Sequence, residues 1–133
     1  MNPWLFLLIG YPVTIAVETP ILMLGLSPRH PMRRRVFAGI WLTACTYPIV
    51  VLVMPPLFIG PGGNRTLYLI VAETFAPVAE CTIFWLAFGT RTEFGRRSMW
   101  WDLSAIVVAN LASFAVGEAL GRLEWWQRLF ISG

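Results

Sequence analysis

The chain contains no lysine. All ten basic residues are arginine, and seven acidic residues and one histidine are the only other ionisable charges among 133 positions. Charged residues make up 13%, roughly half the share of an ordinary soluble domain. That scarcity, with 57% hydrophobic residues and a mean hydropathy of +0.67, excludes a single soluble core. Lipid must act as solvent for much of the surface. A net charge of +3 is small, and the arginines cluster at turns, which fits topology and headgroups and argues against nucleic acid as a partner. Only two cysteines occur, Cys45 and Cys81. Both lie deep in apolar runs without ligand spacing, so neither a disulfide framework nor a metal site is expected. Catalytic signals are equally sparse. There is no His-Glu-x-x-His, no nucleophile motif and no glycine-rich phosphate loop. The lone His30 sits in a loop between prolines, where it is expected to be solvated. The balance is against an enzyme, and no cofactor is assigned.

What the chain does have is four apolar runs, expected as helices over 4–26, 36–58, 67–88 and 103–120. The first, at 1.5 Å per residue, reaches roughly 35 Å and spans a bilayer with some tilt. Its flank, Met-Asn-Pro-Trp, lacks a basic region and a small-residue cleavage site, so the run is expected to be retained. Pro12, Pro20 and Pro48 interrupt the runs, as membrane helices tolerate. The stretch from Ile59 to Arg65 is a loop by composition. Residues 121–131 carry Leu123, Trp126 and Phe130 at helical spacing beside Arg122, Glu124 and Arg128, as a short interfacial helix does. The expectation is one transmembrane domain over 1–133, an all-α four-helix bundle.

Arginine asymmetry sets the orientation. The first and third connections hold Arg29, Arg33, Arg34, Arg35, Arg91, Arg96 and Arg97, against Arg65, Arg122 and Arg128 on the other side. The positive-inside rule puts both termini outside the cytoplasm. Arg33, Arg34, Arg35, Arg96 and Arg97 are read as topology signals and contacts to anionic headgroups. Trp4, Trp100-Trp101 and Trp125-Trp126 fall where an aromatic belt belongs, although paired tryptophans also suit subunit contacts.

Polar residues interrupt the apolar text at one level. They are Glu18 and Thr19 in the first run, Thr43, Thr46 and Tyr47 in the second, Glu73, Thr74, Glu80 and Thr82 in the third, and Asn110 and Ser113 in the fourth. Lipid offers such groups no partner, so they are expected to point inward. The halves also resemble each other. Glu18 precedes Arg34-Arg35 by the spacing at which Glu80 precedes Arg96-Arg97, and Thr43-x-x-Thr46-Tyr47 falls opposite Asn110-x-x-Ser113-Phe114. Two helices per half gives a parallel repeat, with a pseudo-twofold along the membrane normal. Three explanations of the midline compete. Protonated glutamates and hydroxyls hold helix register; or the carboxylates bind a cation or relay protons; or they do acid–base or metal chemistry. Glu118, near the end of the fourth run, is expected to reach headgroups or Arg122. Gly117 and Gly121 form a Gly-x-x-x-Gly that can support a close helix contact.

Glu18, Thr46-Tyr47-Pro48, Glu73, Glu80 and Asn110-Leu111-Ala112-Ser113 together resemble the pattern of a set of small bacterial four-helix membrane proteins of unassigned function. That pattern has a glutamate in helix 1, Asn-x-x-Thr-His-Pro in helix 2, two glutamates in helix 3 and Asn-x-x-Ser in helix 4. The chain departs from it where Thr43 replaces asparagine and Tyr47 replaces histidine. Tyrosine is a poor ligand for zinc or copper, so a metal site of that kind is weakened here. The resemblance implies a multi-pass protein of a bacterial inner membrane.

The site candidates are therefore Glu18, Thr46, Tyr47, Glu73, Glu80, Asn110 and Ser113. With almost no soluble mass, the chain reads first as a subunit or scaffold of a membrane assembly, in a homo-oligomer or with other membrane subunits. The alternative is a proton or cation transporter or channel-like protein that uses the intramembrane glutamates.

Overall fold

The computed structural model describes residues 2–89, 93–123 and 128. The described residues form helices and connections without a strand. Helix α1 is Pro3–Gly25. The Asn2 side chain accepts the Trp4 amide at 3.0 Å and Pro3 opens the first turn, where no donor is lost. The second span joins α2 (Met32–Pro48), a π-helical turn (Ile49–Val53) and α3 (Met54–Phe58). Helix α4 is Arg65–Phe88, capped by Asn64, whose side chain accepts from the amides of Thr66 and Leu67 at 2.9 and 3.2 Å. Helix α5 is Glu93–Gly121. Four stretches are long and apolar enough to cross a membrane: Pro3–Gly25, Met32–Phe58, Arg65–Phe88 and Gly95–Gly121.

The four-helix, all-α expectation holds, with two boundaries corrected. The second span starts at Met32 rather than 36, so Arg33, Arg34 and Arg35 lie inside its first turn. Helix α5 starts at Glu93, well before 103, because Asp102 is satisfied by contacts from another segment and does not end the helix. Most of the segment 121–131 lies outside the described residues, as do Trp125 and Trp126.

The π-helical turn has an identifiable end. The Met54 amide donates to Ile49 O, one residue further back than an α-helix allows. The next bond in that register would end on Val50 O, but Pro55 has no N–H. The Tyr68 hydroxyl takes its place, donating to Val50 O at 3.1 Å.

Each of α1 and α4 packs against both α2 and α5. The halves of the bundle along its axis differ. Toward the end carrying residues 26–31, Leu22, Leu42, Phe84 and Ile106 form a solid buried layer with Ala38 and Ala109. Small residues let backbones close there. A Cβ on Gly39 would lie 2.9 Å from Thr19 Cα. Large apolar side chains such as Leu8, Leu24, Leu57, Leu86 and Leu111 are exposed around the outside, as a lipid-facing surface requires. Toward the other end the bundle is hollow. A cavity of about 710 Å3 runs from the polar midline to exposed Pro3, Ile59 and Arg65.

Candidate functional site: a carboxylate-lined cavity

The midline glutamates are tied to the helices in a crossed pattern. Glu18 of α1 is 3% exposed and Glu80 of α4 is 2% exposed. The Thr43 hydroxyl of α2 lies 2.7 Å from Glu18 Oε2, and the Ser113 hydroxyl of α5 lies 2.6 Å from Glu18 Oε1. The Asn110 amide of α5 donates to Glu80 Oε2 at 2.8 Å, and the Thr46 hydroxyl of α2 lies 2.7 Å from Glu80 Oε1. In each half, the first residue of the x-x-spaced pair serves its own glutamate and the second serves the glutamate of the other half. That exchange is the one a pseudo-twofold along the bundle axis produces.

The hydroxyls carry a further property. Thr43 Oγ1 is also 2.7 Å from Gly39 O, Ser113 Oγ is 2.9 Å from Asn110 O, and Thr46 Oγ1 is 3.2 Å from Leu42 O. A hydroxyl has one proton and two lone pairs. It can donate to a carboxylate, or accept from a protonated carboxyl while donating to the carbonyl of its own helix. The same heavy-atom geometry therefore satisfies the site with the proton present or removed.

All seven sequence candidates line the cavity: Glu18, Thr46, Tyr47, Glu73, Glu80, Asn110 and Ser113. Glu18 and Glu80 stand at its deep end, two turns of α4 below Glu73. The Tyr47 hydroxyl packs against Gly10, where any Cβ would collide with it. The inward rule fails for Thr74 and Thr82. Both are exposed, and their hydroxyls donate at 2.7 Å to Ile70 O and Val78 O, one turn back on the same helix. Threonine thus supplies its own partner in lipid, an option a glutamate lacks. At the outer end, Glu118 pairs with Arg65 at 3.3 Å rather than with Arg122. A Cβ on Gly117 or Gly121 would meet nothing within 4 Å, so this pair makes no close helix contact among the described residues.

Below the apolar layer lies a second polar site that the sequence reading missed. Asp102 is fully buried. Its Oδ1 accepts the Ser27 amide at 2.6 Å. Its Oδ2 accepts from Arg29 Nε and Nη2 at 3.1 and 2.9 Å and from His30 at 3.0 Å. His30 is 2% exposed, not solvated. Its ring packs edge-on against Phe84 and Phe88. Arg34 Nη1 lies 3.3 Å from His30 Nδ1, which makes Nδ1 the acceptor and Nε2–H the donor to Asp102. Burial pulls the His30 pKa below its usual value, against the opposing pull of Asp102. Arg35 is not a surface charge. It donates to Met23 O, Ser27 O and His30 O at 2.7, 3.2 and 2.9 Å, closing the C-terminal end of α1. Arg33, Arg96 and Arg97 are exposed at the same end. A legible signal existed: an aspartate next to Trp100-Trp101, at the end of the bundle where the lone histidine turns.

Among the described residues, no three His, Cys, Asp or Glu side chains converge as a metal-ligand group. Cys45 and Cys81 are free and half-buried. No protein-family model, curated protein or solved structure matches the chain. Fold and site together define a small multi-pass membrane protein with a polar cavity inside its bundle.

Proposed function

We propose that the protein binds and moves protons or cations through Glu18, Glu80 and Glu73, as a small transporter or channel-like protein. The supporting observation is the placement of Glu18 and Glu80 at the deep end of a cavity, each with a hydroxyl partner that serves either protonation state. A midline used only to hold helix register needs the hydrogen bonds but not the cavity. The scaffold reading draws on the same bonds, since they join all four spans, and a place within a larger membrane assembly is compatible with transport. The arginine bias orients the cavity mouth and both termini away from the cytoplasm. The resemblance to small bacterial four-helix proteins supports an inner-membrane location.

Reconstituted vesicles with an internal pH dye test the proposal. Wild-type protein is expected to dissipate an imposed proton or cation gradient. Replacing Glu18, Glu73 and Glu80 together by glutamine is expected to abolish that flux while the helical content stays unchanged. Flux that survives the triple replacement rules transport by these groups out.

A further inference from the structure

We propose that the cavity takes an organic cation with an apolar body, bound in exchange for a proton. This rests on the reading of the glutamates as proton- and cation-handling groups and adds the class of solute. Three observations carry it.

The first is charge. Among the described residues, the cavity lining holds Glu18, Glu73, Glu80 and Glu118 against one basic residue, Arg65. Arg65 is engaged by Glu118 at the mouth. Below the mouth, the described lining residues therefore bring three carboxyl groups and no basic side chain. An anion finds no partner there, and a neutral solute displaces no proton from these carboxyls, whereas a cation gains a carboxylate for each proton released.

The second is size. A proton needs no cavity of about 710 Å3. An inorganic cation needs several oxygens converging at about 2.0–2.6 Å. The oxygens of Glu18 and Glu80 are instead faced by Thr43, Ser113, Thr46 and Asn110. These suit a diffuse positive charge resting against the carboxylates more than a stripped metal ion.

The third is the wall. Phe6, Val13, Leu52, Leu69 and Phe114 line the cavity, together with Tyr47 and Tyr68. Apolar walls with a few placed polar groups are the pattern of a small-molecule site. Aromatic faces add attraction for a cation. As the cation enters, one positive charge arrives and one proton leaves a carboxyl, so the charge buried in the membrane is conserved.

The test uses the full chain in mild detergent with tetraphenylphosphonium, whose charge cannot be removed by deprotonation. Tetraphenylborate, of the same shape and opposite charge, is the control. Tetraphenylphosphonium is expected to bind saturably and to release protons into weak buffer, and tetraphenylborate is expected not to bind. Glu18→Gln or Glu80→Gln should weaken binding on the order of tenfold. Those variants also change bonds between helices, so Gly117→Phe is the second probe. Gly117 lines the cavity and a Cβ there meets nothing within 4 Å, so the added ring is expected to take up cavity space and weaken binding comparably. Equal binding of both ions, affinity unchanged in all three variants, or no saturable binding overturns the inference. Loss of this inference with proton flux retained in vesicles leaves the transport reading standing. Loss of both removes both.

Discussion

His30 and Asp102, 72 positions apart, meet through a 3.0 Å hydrogen bond inside the end of the bundle opposite the cavity. The bond joins the turn after α1 to the first third of α5, and with Arg29 and Ser27 it makes Asp102 the anchor of that end.

Removing the Asp102 carboxylate is therefore the most disruptive single change at that end. Asp102→Ala leaves the Ser27 amide, Arg29 and His30 without their acceptor. Breaking a buried pair in this way costs about 3–5 kcal/mol. Asp102→Asn keeps one acceptor oxygen and should cost less. Thermal unfolding in detergent, followed by helical signal, checks the ranking. An alanine variant within about 1 kcal/mol of wild type contradicts it.

The same pair gives a pH dependence. His30 has a lowered pKa in the folded chain because its ring is buried. The unfolded chain then binds a proton that the folded chain resists, so stability falls as pH drops below the ordinary histidine value near 6.5. Above that value the contribution is constant. His30→Gln retains a donor for Asp102 and removes the titration. Wild type is expected to lose more stability than this variant between pH 7 and about 5. Parallel curves for the two would refute the assignment.

Crossed hydrogen bonding predicts which mutations couple. Thr43→Val and Ser113→Ala both act on Glu18, and Thr46→Val and Asn110→Ala both act on Glu80. Each single change should cost on the order of 1 kcal/mol. Double-mutant cycles should show coupling for Glu18→Gln with Ser113→Ala, across the halves, and near-additivity for Glu18→Gln with Thr46→Val. Coupling confined within each half would defeat the pattern.

Orientation has a direct test. Gly117 lines the cavity and has free space around it. With Cys45 and Cys81 replaced, Gly117→Cys should react with an impermeant thiol reagent added from outside the cell. Reaction only from the cytoplasmic side reverses the topology drawn from the arginines.

The spans and the midline were legible because burial of polar groups in lipid is so costly that each one announces a purpose. Glu18, Glu80, Asn110 and Ser113 are where that cost predicts. Thr74 and Thr82 were misjudged because a hydroxyl can return to its own backbone. His30 and Asp102 were missed because each is ordinary in its local text and only the fold brings them together. The hollow was not legible either. Part of its wall is the π-helical turn and Pro55-Pro56, set by backbone geometry rather than residue pattern.

The halves of this chain run in the same direction, and their glutamates exchange partners about an axis along the bundle. Rotation about such an axis maps each face of the membrane onto itself. An inverted repeat can reverse its access by letting its halves trade conformations, but a parallel repeat has no such counterpart state in its own symmetry. Under the proposed transport, passage beyond the midline depends on parting the layer of Leu22, Leu42, Phe84 and Ile106. The clasp around Asp102 lies behind that layer, with His30 edge-on to Phe84, so in that proposal its strength sets how firmly the layer stays closed.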